Sequence, residues 1–180
     1  MCWRLTFLLA AIGAVLLPLT SFAQPAVPRV PNAVAVPPGY KLLFNVEARG
    51  VQIYRAEEGK SNRLAWTLEA PLADLVDARG GKAGRHYAGP SWEAADGSKV
   101  VRDRAEDVKS APAPNAKEDI PWLLIRVKSE EGKDGTFSSA VYIQRLQTEG
   151  GKDPAEPPKR AGTQVGVPYK AVYYFYGKGK

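Results

Sequence analysis

Short runs of alternating apolar and polar residues, separated by glycine-containing turns, recur through the chain. Leu64, Trp66 and Leu68 occupy every second position of one run, and Leu123 and Ile125 do so in another. This period of two is typical of strands with one buried face. Three further runs rich in β-branched and aromatic residues cover 51–55, 140–147 and 167–176. Helical periodicity is weak everywhere except in the first residues.

Turn-forming dipeptides separate these runs at a short spacing. They are Arg49-Gly50, Glu58-Gly59, Gly80-Gly81, Asp96-Gly97, Asp134-Gly135 and Gly150-Gly151. The strongest hairpin signal is Asp96-Gly97, which lies between the candidate strands 92–95 and 99–102. About eight to ten short strands at this spacing predict an all-β fold, a single-domain antiparallel β-sandwich or β-barrel.

The aromatic run at the C-terminus, residues 172–176, is apolar at every position. A strand with one wet face would alternate, so this run predicts a strand covered on both faces. Core packing is the simpler interpretation, since aromatic side chains in strands usually fill cores. The other interpretation is a stacking surface for a sugar or a base.

The first 23 residues have the layout of a secretory signal peptide. Arg4 precedes an apolar run from Leu5 to Leu19, and the segment closes on Ser21-Phe22-Ala23, which predicts cleavage after Ala23. The apolar run is shorter than the roughly 20 residues that span a bilayer. We therefore expect a secreted or periplasmic protein without stable membrane insertion once the signal is removed.

The remaining chain divides into three parts by composition. Residues 24–39 are rich in proline, which predicts an extended leader without its own sheet. Residues 40–176 carry the strand pattern and form the predicted β-domain. Residues 177–180 form a small basic tail that we expect to be disordered.

Composition excludes several classes of site. The chain has one cysteine, Cys2, and one histidine, so metal sites built from cysteines or several histidines and any disulfide are excluded from the mature domain. A dinucleotide-binding glycine motif is missing, and we expect no cofactor. The formal net charge is +6, but Lys and Arg are interleaved with Asp and Glu, so nucleic acid is not an expected partner.

The densest polar and aromatic cluster lies just before the predicted hairpin. Arg85, His86, Tyr87, Trp92 and Glu93 are the candidate ligand-binding residues, with aromatic faces for stacking and a guanidinium for an anionic group. In an extended chain the first and third of them share one face, while the histidine points to the other. The alternative is structural: the aromatic residues fill the core, and the histidine only makes a hydrogen bond.

An enzymatic function has weaker support. His86 is the natural general base for a secreted hydrolase, but no Gly-x-Ser-x-Gly motif marks a nucleophile. Carboxylate pairs for glycoside hydrolysis are available at Asp74/Asp77, Glu93/Asp96 and Asp103/Glu106/Asp107. A third possibility is a structural or interaction module that exposes a sheet edge to a partner strand.

Several segments together resemble the domain-of-unknown-function family 3455, an uncharacterised secreted group. The matching segments are 50–55, 66–75, 84–101, 120–124, 142–145, 167–169 and 173–176, in that order. The resemblance implies an exported single domain and supplies no established reaction. It also implies a cysteine pair that is missing here: Ala56 stands at one place, and the loop around Lys159-Arg160-Ala161 has none.

These observations favour a non-enzymatic function. The sequence predicts an exported β-domain that binds a small molecule, a glycan or an envelope partner through its loops and its mouth.

Overall fold

The computed structural model describes residues 27–59, 62–130 and 134–179. In this part of the chain, nine antiparallel strands follow a three-residue 3₁₀ turn, Asn32–Val34. The strands are β1 Tyr40–Glu58, β2 Leu64–Val76, β3 Lys82–Tyr87, β4 Ser91–Ala94, β5 Lys99–Arg102, β6 Lys109–Ala111, β7 Trp122–Ser129, β8 Tyr142–Gly150 and β9 Gln164–Lys178. The predicted all-β single domain is confirmed. The predicted signal peptide lies outside the described residues.

The sheet closes on itself. Its strands are ordered β5-β4-β3-β2-β1-β9-β8-β7-β6, and β5 also pairs with β7 through Val100↔Ser129 and Arg102↔Val127. Eight strands therefore form a hydrogen-bonded ring, while β6 pairs with the first residues of β7. Of the two predicted architectures, this ring is the barrel. An eight-stranded barrel has an interior just wide enough for side chains or one small ligand.

Side chains largely fill the interior. Alternate residues of each strand point inward, as the period of two requires. The inner cluster includes Val46 and Ala48 from β1, Trp92 from β4, Ile143 from β8 and Phe175 from β9, all of them buried. This burial supplies the apolar core that holds the ring together.

A second buried cluster lies outside the ring, on the outer faces of β7, β8 and β9. The N-terminal segment 27–39, here called the strap, covers it. Val34 is 0% exposed and packs in this cluster with Trp122, Leu124, Tyr174 and Tyr176. The aromatic run 172–176 was predicted to be a strand covered on both faces, and the structure agrees. One face of this part of β9 lines the barrel interior, and the other face lies beneath the strap.

One turn prediction is wrong. Arg49-Gly50 lies inside β1, where Gly50 pairs with Ala73 of β2 and Tyr169 of β9. A Cβ atom at Gly50 would come within 2.1 Å of the Leu72 carbonyl oxygen. Glycine is therefore required here by the close approach of two strands, a use that local sequence does not distinguish from a turn.

The hairpin predictions are correct. Asp96-Gly97 connects β4 to β5, and Gly80-Gly81 belongs to the turn between β2 and β3. The expected disorder of the basic tail is wrong as far as the tail is described. Strand β9 continues through Lys178, and the Gly179 amide donates to the Gly39 carbonyl at 2.8 Å.

The two places at which the family resemblance implies cysteines are close in the fold. The Ala56 amide donates to the Thr163 carbonyl at 2.8 Å, and the Gly162 amide donates to the Ala56 carbonyl at 2.9 Å. Backbone hydrogen bonds therefore join β1 to the end of the loop that precedes β9. Within the described residues, the model contains no helical segment with the length and apolar character needed to traverse a bilayer.

Candidate functional site

The five predicted site residues fall on two opposite faces of the barrel wall. Strand β3 points Arg85 and Tyr87 outward and His86 inward, as the extended-chain argument predicts. Its partner β4 points Trp92 inward and Glu93 outward, because His86 pairs with Trp92 and Arg85 with Glu93. The structure thus assembles an outer group of three residues and an inner pair, with the sheet between them.

The three residues of the outer group, Arg85, Tyr87 and Glu93, pair with one another. Glu93 accepts a hydrogen bond from the Tyr87 hydroxyl at 2.6 Å and pairs with Arg85 at 3.0 Å, and both contacts hold the pKa of its carboxyl below the ordinary value. Arg85 and Lys99 lie 5.2 and 5.7 Å from the centre of the Tyr87 ring. The group borders a shallow cleft of about 200 Å³. Because these charges already have partners, a ligand here would have to compete with them.

The inner pair belongs to the aromatic core. The His86 and Trp92 rings stack with centroids 4.4 Å apart, and the Tyr173 ring meets His86 edge-on at 5.1 Å. His86 Nδ1 lies 2.8 Å from the Ser91 carbonyl oxygen. A carbonyl oxygen only accepts, so Nδ1 carries the proton and donates it.

Burial makes His86 a poor general base. Burial lowers its pKa from 6.5 to about 3, against the opposing effect of the Ser91 hydrogen bond. Its partner in the described structure is a backbone carbonyl, while the Ser91 hydroxyl instead donates to the Ala88 carbonyl at 3.1 Å. The arrangement that nucleophilic catalysis needs, a hydroxyl hydrogen-bonded to a histidine, is not formed at this position.

The candidate carboxylates are engaged elsewhere. Asp96 accepts hydrogen bonds from the hydroxyls of Ser98 and Thr136 at 2.6 and 2.7 Å, joining two turns at one end of the barrel. Asp103 and Glu106 both pair with Arg126 on the outer surface. These contacts account for Asp96, Asp103 and Glu106 as structural groups. Among the described residues, no three His, Cys, Asp or Glu side chains are grouped to hold a metal ion.

A different set of polar side chains meets inside the barrel at the end where β8 finishes and β9 begins. We call this set the polar compartment. Its members come from β1, β3, β4, β8 and β9 and are Gln52, His86, Trp92, Arg145, Tyr169 and Tyr173.

Gln52 is the most exceptional member. It is 1% exposed, and neither its amide nitrogen nor its amide oxygen has a hydrogen-bond partner among the described protein atoms. Gln144, on the outer side of the wall, is buried to the same degree, yet it donates to the Val34 carbonyl at 2.6 Å and accepts from Tyr176 at 2.7 Å. A buried amide without partners costs free energy, so Gln52 needs an explanation that Gln144 does not.

Arg145 places a positive charge in the same compartment. It is 8% exposed, and among the described residues no carboxylate lies within salt-bridge distance of its guanidinium. Its Nη2 and Nε donate to a single backbone oxygen, that of Pro121, at 2.9 and 3.3 Å. The Tyr173 hydroxyl interacts with the same side chain as a second neutral partner. A guanidinium has five N–H donors, so neutral oxygens of this number are a small complement for a buried charge.

The charge of Arg145 acts on several neighbours. Burial is the largest cause of the pKa shifts of Tyr54, His86, Tyr169 and Tyr173, and the field of Arg145 contributes to all four. The tyrosines stay protonated because burial raises each pKa, and the histidine stays neutral. The compartment therefore combines one cation with neutral hydrogen-bonding groups.

Two short loop segments close the barrel above the compartment. We call residues 119–121 and 150–152 the cap. The Ile120 amide donates to the Gly150 carbonyl at 3.0 Å, and the Gly150 amide donates to Asp119 Oδ1 at 2.7 Å. The Tyr54 hydroxyl donates to the Gly151 carbonyl at 2.7 Å, which ties the cap to β1.

Gly151 fits directly against the compartment. Its φ is +81°, and a Cβ atom there would lie 2.8 Å from Tyr169 Cβ and 3.3 Å from Gln52 Cγ. On the outer side, Asp119 and Pro121 border a cleft of about 340 Å³. Residues 119–121 thus separate the buried compartment from an open surface cleft.

Two of the six compartment members, His86 and Trp92, were predicted as site residues from the sequence. The other four, Gln52, Arg145, Tyr169 and Tyr173, were missed because the strands that carry them meet only when the barrel closes. A signal was present: Gln52 lies in phase with the inward positions Ala48 and Gly50 of the same strand. A polar residue at an apolar phase of a strand deserves scrutiny as a site residue.

The interaction-module hypothesis requires an open sheet edge. Residues 64–72 of β2 pair with β1, whereas β3 covers only residues 73–76, so the first part of β2 has a free side in the described structure. Leu68 and Leu72 are exposed there. Pro71 lacks an N–H group and interrupts this edge, which limits strand addition.

Comparison with known proteins identifies a family and no characterised relative. Searches of curated proteins and of solved structures gave no match to this chain. A family model described as a protein of unknown function, DUF3455, matches residues 37–177, which cover all nine strands except the last residue of β9. The chain therefore belongs to the DUF3455 family of proteins of unknown function.

Proposed function

We propose that this protein is an exported, non-enzymatic binding module whose ligand is a small molecule held in the polar compartment of the barrel. Export is inferred from the N-terminal sequence alone. Binding is inferred from the compartment, where buried polar groups from five strands converge beneath a cap built from two loops. Ligand sites commonly combine apolar walls with a few polar groups placed in this way.

The observation that carries the proposal is the unpartnered amide of Gln52. Protein interiors satisfy nearly all buried polar groups, and exceptions concentrate at functional positions. The matched residue Gln144 supports the same conclusion, because this fold does provide full partners to a buried glutamine with a structural role.

Other functions have less support. A hydrolase would need a general base, and His86 is buried, neutral and paired with a backbone oxygen. A glycan site on the outer group would have to displace the ion pair and hydrogen bond of Glu93. In the polar compartment, by contrast, the Gln52 amide and the Trp92 indole nitrogen lack protein partners.

We expect the two matched glutamines to respond oppositely to replacement by leucine. Gln52→Leu removes an unpartnered buried amide and should leave the free energy of unfolding unchanged or raise it by up to about 1 kcal/mol. Gln144→Leu leaves the Val34 carbonyl and the Tyr176 hydroxyl without a partner and should cost about 2 kcal/mol or more. Denaturant unfolding of both variants and the wild type measures the difference.

The same variants test binding. A thermal-shift screen of the wild type against sugars, lipids and metabolites should yield compounds that raise Tm, and Gln52→Leu should reduce that response. Glu93→Gln, on the outer group, should retain it. A response lost with Glu93→Gln and kept with Gln52→Leu would move the site to the outer face. The proposal would be contradicted if no compound raises the Tm of the wild type and Gln52→Leu strongly lowers the free energy of unfolding.

A further inference from the structure

The ligand class follows from the charge and partners of Arg145; this inference rests on the proposed function. We infer that the ligand carries a carboxylate, that this carboxylate binds the Arg145 guanidinium in place of the Pro121 carbonyl, and that residues 119–121 move outward to admit it.

The charge balance of the compartment is positive. Arg145 is its only cation, and its remaining members are an amide, two phenols, an indole and a neutral imidazole. Two acidic groups lie in the adjoining loops: Asp119 accepts from the Gly150 amide, and the charge of Asp153 acts on Tyr54. A buried cation without a paired anion is costly, so a ligand that supplies a carboxylate would stabilise the site.

The existing contact resembles part of an arginine–carboxylate pair. Nη2 and Nε of Arg145 converge on the single oxygen of Pro121 at 2.9 and 3.3 Å. A carboxylate has two oxygens and a full charge, so it can accept from the same two donors along parallel hydrogen bonds. A carboxylate in place of the neutral Pro121 carbonyl would therefore give Arg145 stronger hydrogen bonds while the guanidinium keeps its position.

The walls of the compartment indicate an apolar body attached to that carboxylate. The rings of His86, Trp92 and Tyr173 are mutually packed, with centroids 4.4 to 5.7 Å apart. The Gln52 amide offers a further donor and acceptor. A ring or short chain that carries one carboxylate matches this combination better than a sugar, whose many hydroxyls would need more partners than these groups supply.

The space for admission lies on the outer side of the cap. Asp119 and Pro121 border the open cleft of about 340 Å³, and Lys152 lines it from the other cap segment. The Ile120 side chain is buried in the inner cluster and leaves it when residues 119–121 move outward. Hydrogen bonds also hold this segment: the bond from Arg145, the Ile120–Gly150 bond, the Asp119–Gly150 bond, the Asp119 amide on the Asn115 carbonyl at 3.0 Å and the Thr148 hydroxyl on the Ile120 carbonyl at 2.7 Å. An incoming carboxylate would replace the first of these.

Benzoate and benzamide test the inference because they share a shape and differ in charge. We expect calorimetric titration of the mature protein to show benzoate binding at least about tenfold more tightly than benzamide, since charge-assisted hydrogen bonds exceed neutral ones by this order. Arg145→Gln should remove the preference. The control Arg126→Gln takes the same charge from the outward face of β7, where Asp103 and Glu106 hold it, and should retain the preference.

The outcomes separate this inference from the proposed function. Two results would contradict the inference that the ligand carries a carboxylate: equal affinity of the wild type for benzoate and benzamide, or binding only of neutral compounds in the thermal-shift screen. Both results would still be consistent with a small-molecule site. No binding of any compound would overturn both. If Arg145→Gln does not fold, the benzoate-to-benzamide ratio on the wild type still decides, since that comparison needs no variant.

Discussion

Acidification from pH 6.5 to pH 4.5 should lower the free energy of unfolding by about 2 kcal/mol through one side chain, His86. Its pKa in the folded protein is lowered to about 3, chiefly by burial, whereas in the unfolded chain it returns to 6.5. Between these pKa values the unfolded state binds a proton and the folded state does not. The stability is therefore complete above about pH 7.5 and falls as the pH decreases toward the folded-state pKa. Denaturant unfolding at half-unit pH intervals measures the slope.

His86→Gln provides the matched control, because glutamine can still donate a hydrogen bond and does not titrate. We expect this variant to be less stable than the wild type at pH 7 and to have a nearly flat profile between pH 6.5 and pH 5. The chain has one histidine, and carboxylates with lowered pKa values, such as Glu93, act mainly below pH 4.5. A wild-type profile that is flat in this window would show that His86 is not buried in the neutral form.

The second large effect concerns the strap. Val34→Asp places a charge at a fully buried position of the outer cluster, and we expect it to lower the free energy of unfolding by about 3 kcal/mol. The inner cluster contains no strap residue, so the barrel should stay folded while residues 27–39 detach. Hydrogen exchange should then show lost protection in the strap and at the outer faces of β8 and β9.

Asn32→Asp is the control for Val34→Asp, since it adds the same charge at an exposed position of the same 3₁₀ turn. It should leave stability and exchange within experimental error of the wild type. A Val34→Asp protein with the stability of the wild type would contradict the proposed anchoring of the strap. Complete unfolding of Val34→Asp would show that the strap and the barrel form a single cooperative unit.

Sequence predicted the local part of this fold well. The alternation around Leu123 and Ile125 identifies β7, and Asp96-Gly97 marks the hairpin between β4 and β5. Closure of the ring depends on the pairing of β5 with β7, whose paired residues lie 25 to 29 positions apart in the chain. No local signal distinguishes this closure from a sandwich. Gly50 was misread for a related reason, because its need for space comes from β2 and not from its chain neighbours.

The candidate site was predicted only in part. Alternation along β3 and β4 places Arg85, Tyr87 and Glu93 on the outer face of the barrel wall. His86 and Trp92 lie on the inner face, so the residues that cluster in the sequence form two separate groups in the fold. The polar compartment draws on five strands and is invisible as a sequence motif. Its one local mark is a polar residue at an inward phase, as at Gln52 in β1 and at Arg145, two residues after the inward Ile143 of β8.

The side-chain amides of Gln52 and Gln144 give the most direct measurement of whether the polar compartment binds a ligand. Both side chains are only 1% exposed, Gln52 inside the barrel and Gln144 outside it. Each contributes a separate pair of NH₂ signals to a ¹⁵N–¹H spectrum. During titration with benzoate, we expect the chemical shifts of the Gln52 NH₂ group to change until the site is saturated and those of Gln144 to stay constant. Gln52 signals that stay fixed while benzoate binds, or that move no more than those of Gln144, would contradict it.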